Sequence, residues 1–204
     1  MFNFITMIFD FSSYKCLGRA NLLILAIGCF FTLQSFCAEN EGVKIKNSTL
    51  TWVGSKVTGS HEGTISLKSG RLSFDNNALI GGEFVIDMTT IICTDLSGKG
   101  KASIEGHLKS DDFFSVDKFP IASLTILDVK KNGLNQYQVN ANITIKGITQ
   151  KIMFDTEIKE KMAKAKLVID RTLFGIIYKS GNFFKELADK AIYDEFEMSI
   201  ELGF

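Results

Sequence analysis

Two histidines, His61 and His107, are the only imidazoles this 204-residue chain offers as general bases or metal ligands. Neither stands in a recognisable reaction motif. Nucleophilic catalysis needs a Ser or Cys activated by an adjacent base, and the Gly-x-Ser-x-Gly elbow that signals one such arrangement is missing. Sequence signatures of zinc sites gather Cys and His a few residues apart, and Cys16, Cys29, Cys37 and Cys93 are not so spaced with either histidine. The run Gly98-Lys99-Gly100-Lys101-Ala102 has the Gly-Lys of a phosphate loop. It lacks the Gly five residues earlier and carries Ala where Ser or Thr would hold magnesium. Carboxylates such as Asp87, Asp111, Asp112 and Asp170 are plentiful, but acids in a strand-rich chain mostly cap turns and helices. With no nucleophile, base and orienting group in view, we expect a non-catalytic protein with no metal and no cofactor.

What remains is binding, and composition narrows the partner. Lys+Arg and Asp+Glu are both 23, a balance without the basic excess that nucleic-acid binding requires. A hydrophobic content of 46% with 18 Phe supplies ample core and excludes a disordered chain. Residues 1–38 stand apart. Lys15 and Arg19 precede an apolar run from Ala20 to Ala38, and polar Glu39-Asn40-Glu41 follows, which is the layout of a secretory signal peptide. We read 1–38 as that signal and 39–204 as the folded, exported domain, periplasmic or secreted. Two rivals stay open: a retained N-terminal anchor, and lipid attachment at Cys29 after Leu25-Ala26-Ile27-Gly28. Losing 1–38 removes three of the four cysteines, so the exported domain has no internal disulfide and relies on its core. Cys93, in Thr-Ile-Ile-Cys-Thr, is expected as a small buried hydrophobe.

The elements beyond residue 38 read as strands. Tyr137, Val139, Ala141, Ile143 and Ile145 alternate with polar residues, as do Phe196, Met198, Ile200 and Leu202. Period two places each set on one face of a strand. Shorter versions occur at Ile65/Leu67, Leu72/Phe74, Phe84/Ile86/Met88, Ala122/Leu124/Ile126, Ile152/Phe154 and Ala165/Leu167/Ile169, with a less regular one over 50–57. Turn signals fall at Lys68-Ser69-Gly70, Asp75-Asn76-Asn77, Lys131-Asn132-Gly133 and Lys146-Gly147. Short antiparallel strands at this spacing predict a sandwich or a barrel. Two segments are expected as short helices, one around 99–113 with Ser110 and the acids after it as a helix start, the other over 183–191.

Several blocks resemble the YceI-like family of exported lipid- and polyisoprenoid-binding proteins. They are Trp52-Val53-Gly54-Ser55-Lys56-Val57-Thr58-Gly59-Ser60-His61-Glu62-Gly63, Gly81-Gly82-Glu83-Phe84-Val85-Ile86-Asp87-Met88, and Gly106-His107-Leu108-Lys109-Ser110-Asp111-Asp112-Phe113-Phe114 with Phe119-Pro120. Ile143-Thr144-Ile145-Lys146-Gly147-Ile148-Thr149 and Ile169-Asp170-Arg171-Thr172-Leu173-Phe174-Gly175-Ile176 complete the set, in order from about Lys44 to Phe204. The resemblance implies an all-β fold, an eight-stranded antiparallel lipocalin-like barrel with one or two short helices. It also implies an elongated apolar pocket for a polyprenyl, quinone or fatty-acid chain, a width that eight strands provide. On that footing Trp52, Phe74, Phe84, Ile86, Phe154 and Phe196 are expected to face inward against the ligand. His107, Lys109 and Asp111 are expected to hold a headgroup at the mouth, or else to cap loops, and His61 to line the opposite rim. Arg171 is expected to pair with Asp170 at a strand end. The alternative function is an exported structural or stress-related protein whose barrel is filled by its own side chains and whose surface binds a protein partner. Membrane proximity, through lipid exchange or an anchor, is a further expectation; oligomeric state is left open.

Overall fold

The computed structural model describes residues 42–184 and 186–204; the expected signal segment 1–38, with Cys29, lies outside them. The strands are β1 (Val43–Lys44), β2 (Asn47–Lys56), β3 (Gly59–Asp75), β4 (Ala78–Cys93), β5 (Ile121–Lys131), β6 (Gln136–Ile145), β7 (Ile148–Lys159), β8 (Met162–Asp170) and β9 (Ile192–Gly203). From β2 onward each strand pairs antiparallel with the next in sequence, and β9 returns to pair with β2. Eight strands therefore close an up-and-down barrel, with β7 and β8 joined over the short ladder from Thr156–Ala165 to Lys159–Met162. The two-residue β1 adds a strap on β3, with Val43 opposite Leu72.

Alternation decides which face is inside. In β6, Tyr137, Val139, Ala141, Ile143 and Ile145 are all buried, as period two requires. In β9 the exposed residues Glu195, Glu197, Ser199 and Glu201 interleave with Phe196, Met198 and Ile200.

Three local expectations are corrected. Ile65/Leu67 and Leu72/Phe74 belong to one long strand, β3, and no turn forms at Lys68-Ser69-Gly70. The register slips between Leu67 and Ser69, and Gly70 is there for space: a Cβ would sit 2.8 Å from the Phe84 ring. The first helix, α1 (Gly98–Lys109), ends at Ser110 instead of starting there. The Ser110 hydroxyl donates to the His107 carbonyl at 2.8 Å, so it closes the last turn and accepts nothing from a first turn. Among the described residues of 183–191 the one helical element is a 3-10 turn, Ala188–Lys190; Ala188 has φ 45°, a left-handed backbone that interrupts an α-helix, and Phe183 and Phe184 are exposed.

Because every neighbour is antiparallel, the connections sort to two ends. At one end lie residues 76–77, 132–135 and 160–161, all tight, with Asn76, Asn77, Glu160 and Lys161 at positive φ. At the other lie 57–58, 146–147 and the two long connections, 94–120 with α1 and 171–191. We call these the hairpin end and the helix end.

Candidate functional site

The inward faces do not fill the barrel. They enclose a cavity of about 190 Å³, more than ten times the roughly 10–15 Å³ that one water occupies on the same measure. The wall is almost wholly apolar. Of the residues expected to face a ligand, Trp52, Phe84, Ile86, Phe154 and Phe196 line this space. Phe74 does not; its ring lies 5.3 Å from that of Phe204 at the hairpin end. Phe113 and Phe114, carried over the helix end by the chain after α1, line it as well. The lining also reaches Gly54, Ser55 and the exposed Tyr193 and Glu195, so the cavity approaches solvent at the helix end.

Trp52 is the largest wall residue, and its position depends on a missing side chain. Gly63 lies opposite it in the β2–β3 ladder, where a Cβ would collide with the indole and with the Ile92 carbonyl oxygen. The indole therefore lies over bare backbone. Trp52 is 7% exposed, and its buried Nε1–H donates to no protein group. A buried donor without an acceptor costs on the order of 1–3 kcal/mol, which a ligand oxygen would relieve.

Arg171 supplies a charge at the cavity wall. It is 1% exposed, and its guanidinium donates to the carbonyls of Tyr193 (3.0 Å), Ile176 (2.7 Å) and Ile192 (3.0 Å) and to Asp194 (3.4 Å). Its partner is thus Asp194, not Asp170. Asp170 instead accepts from the backbone N–H and hydroxyl of Thr172, at 2.8 and 2.6 Å. Burial pushes the guanidinium below its ordinary value, against the pull of Asp194 and Asp170. An arginine starts so high that it stays charged. Phe113 lies 5.6 Å from the guanidinium carbon, a cation–π contact that ties the 110–119 segment to this cation.

The expected headgroup residues divide. His107 packs beside Tyr178 and Phe113, with ring centroids 4.4 and 5.6 Å away, and its Nε2 is buried without a hydrogen bond. It stands behind Phe113 and is not part of the cavity lining. Asp111 is exposed and bound to Lys118 at 2.8 Å, and that contact holds its carboxyl below the ordinary range. Lys109, in the last turn of α1, likewise lies outside the lining.

His61 is also at the helix end, opposite Gly54 in the β2–β3 ladder, and not on a rim across from His107. Its Nδ1 lies 2.8 Å from one oxygen of Asp95, while the other oxygen accepts from the Cys93 thiol at 2.9 Å and the Glu62 N–H at 3.2 Å. Cys93 is fully buried, as expected of a small apolar residue, yet its sulfur has a polar partner. Burial first, and Asp95 second, push the thiol up; the thiol and His61 hydrogen bonds hold Asp95 far below the ordinary carboxylate range.

Sequence reading assigned no ligand role to Phe113, Phe114 or Arg171. The first two were visible as an aromatic pair after α1, and Arg171 as a lone cation among apolar residues. The His61–Cys93–Asp95 cluster had no sequence signal, because barrel pairing alone brings β3 beside the end of β4.

A closed antiparallel meander around an apolar cavity defines a lipocalin-like binding barrel. Residues 43–204 match the family model of the YceI-like domain, and the chain belongs to that family. Among curated relatives, a UPF0312 protein of Photorhabdus laumondii is 35% identical over 57 residues, 28% of this chain and 29% of its own length. One from Yersinia enterocolitica is 32% identical over 71 residues, 35% and 36% respectively. The chain thus spans about a third of the length of these relatives. Solved structures share the fold. BcnA of Burkholderia cenocepacia superposes with TM-score 0.59 at 19% identity, covering 76% of this chain and 94% of that one. A polyisoprenoid-binding domain from Saccharophagus degradans superposes with TM-score 0.55 at 15% identity, covering 78% and 95%.

Proposed function

We propose that this protein binds a single isoprenoid or acyl chain inside its barrel, without catalysis, as an exported carrier or store. The cavity carries the reading, since a barrel filled by its own side chains would leave no space of about 190 Å³. That same observation disfavours the filled-barrel partner protein. A polyprenyl, quinone or fatty-acid tail would leave water for the wall formed by residues such as Phe84, Ile86, Phe154 and Phe196. Each methylene transferred is worth about 0.8 kcal/mol, so a ten-carbon stretch contributes about 8 kcal/mol, the equivalent of roughly micromolar binding, before ordering costs. The polar end of the ligand would lie at the helix end, where the cavity approaches solvent, and the Trp52 indole N–H, mid-way along β2, offers the ligand a donor without a protein acceptor. Exposed Phe183 and Phe184, on the 171–191 connection at that end, give the rim an apolar surface suited to exchange with a membrane. Export through residues 1–38 would place the protein in the periplasm or outside the cell, beside such membranes. The Saccharophagus domain, described as polyisoprenoid-binding, supports the choice of ligand class.

Native mass spectrometry of the protein purified without detergent from cells expressing the full chain tests this. A stoichiometric adduct of several hundred daltons, released by organic solvent, is the expected result. A bare mass, with no uptake of added quinone, polyprenol or fatty acid, would transfer the case to the partner-protein alternative.

A further inference from the structure

We infer that His61, Cys93 and Asp95 form a zinc site with three protein ligands and a fourth position for water, independent of whatever fills the barrel. The His61 Nδ1, the Cys93 Sγ and an Asp95 carboxylate oxygen all lie within 4.8 Å of one another. Tetrahedral zinc with one sulfur, one nitrogen and one oxygen ligand separates those atoms by about 3.3–3.5 Å. The 2.8 and 2.9 Å contacts are made to different oxygens of Asp95, so the imidazole nitrogen, the sulfur and a single carboxylate oxygen, which lie within 4.8 Å of one another, must shift to the tetrahedral separations by side-chain rotation to admit the ion.

The chemistry of the set matches. A thiolate and a carboxylate together carry two negative charges, which balance the divalent ion, and a neutral imidazole completes the borderline-soft donor set that zinc favours over magnesium or calcium. The frame is rigid before any ion binds. Gly63 pairs with Cys93 across the β3–β4 ladder. The Thr94 N–H donates to the Glu62 carbonyl at 2.9 Å, and the Glu62 N–H donates to Asp95. Glu105 of α1, paired with Lys101 at 3.7 Å, accepts the Cys93 N–H at 2.9 Å and fixes that backbone. Access is one-sided: the side chains of His61 and Asp95 are 28% and 27% exposed, while Cys93 is sealed behind them. Binding replaces the thiol proton, which passes to solvent, and uses the Nδ1 lone pair of His61 with its proton on Nε2.

The test strips the reduced protein, purified from cells expressing the full chain, with a chelator, and titrates it with Zn²⁺ and separately with Co²⁺. One Zn²⁺ per chain is expected, together with a thiolate-to-metal charge-transfer absorption in the Co²⁺ complex. Cys93→Ser should abolish that absorption and weaken Zn²⁺ binding at least tenfold, and His61→Ala should weaken it at least tenfold. Should Cys93→Ser fail to fold, the cobalt absorption of the unmodified protein and the His61→Ala titration still decide the matter. No stoichiometric uptake, or uptake without the charge-transfer band, would overturn the site and leave a hydrogen-bonded cluster centred on Asp95.

Discussion

The two ends of the barrel solve different problems. At the hairpin end every connection is tight, its left-handed positions fall to Asn76, Asn77, Glu160 and Lys161, and Phe74 and Phe204 pack ring to ring. At the helix end the two long connections bring in the buried cation Arg171, the Phe113–Phe114 pair and His107, and place Asp95 beside His61 of β3 and Cys93 of β4. Backbone geometry is thus settled at one end, and nearly all the unusual polar chemistry is placed at the other. The lesson is one of division: short turns fix strand register, while long connections supply variable side chains to a common opening.

If this division is real, Arg171→Ala should do the greatest damage. It leaves three carbonyls without this donor in a buried setting and Asp194 with only the Asn182 amide, and should cost about 3–5 kcal/mol in denaturant unfolding. A loss under about 1 kcal/mol would mean that the helix end is not organised around this cation. Gly63→Ala comes next, at about 1–3 kcal/mol by the same measurement, because the new methyl must displace both the Trp52 indole and the Ile92 carbonyl. It should also alter Trp52 fluorescence; an unchanged spectrum would break the proposed contact. Ala122→Phe puts a ring into the cavity from a buried wall position. Fatty-acid uptake, followed by titration, should fall more than tenfold while the barrel stays folded. Equal uptake would place the ligand outside the barrel. The smallest effect is expected at Asp111. Lys118 depresses its carboxyl in the folded state, so its contribution is present at neutral pH and is lost only as acid is added below about pH 4. Asp111→Asn should reduce the acid-range slope, to which Asp87 and Asp95 also contribute, and leave ligand uptake unchanged; reduced uptake would return Asp111 to the mouth.

Much of the wall was legible because a strand's period is short and local. The alternation in β6 and β9 named the buried face residue by residue, and the Asn76-Asn77 and Lys146-Gly147 turns were marked by residue types that tolerate positive φ. The Glu160-Lys161 turn was not, since neither residue advertises it. The Gly70 signal misled because glycine also serves close packing, and only the Phe84 ring across the ladder distinguishes that use. Ser110 misled because a hydroxyl closes a helix as readily as it opens one. The site was legible in part: alternation marked the strands, and the family resemblance then pointed Trp52, Phe84, Ile86, Phe154 and Phe196 inward, where they line the cavity, though not Phe74. Arg171 was placed beside the wrong acid because Asp194 lies 23 residues on and becomes its neighbour only through β8–β9 pairing. Contacts made by pairing across the barrel carry no local pattern.

The ladder between β2 and β9 is the one wall pairing that is not between consecutive strands; it sets Thr51 opposite Ser199, 148 residues away. Every other seam can zip between neighbours, whereas this one must bring the two margins of the domain together, against the largest loop-closure entropy. Closure is therefore expected late in folding, on the millisecond-to-second scale of β-rich domains. A chain lacking β9 has no enclosed interior, so a truncation within β9 would abolish the container as well as the seam.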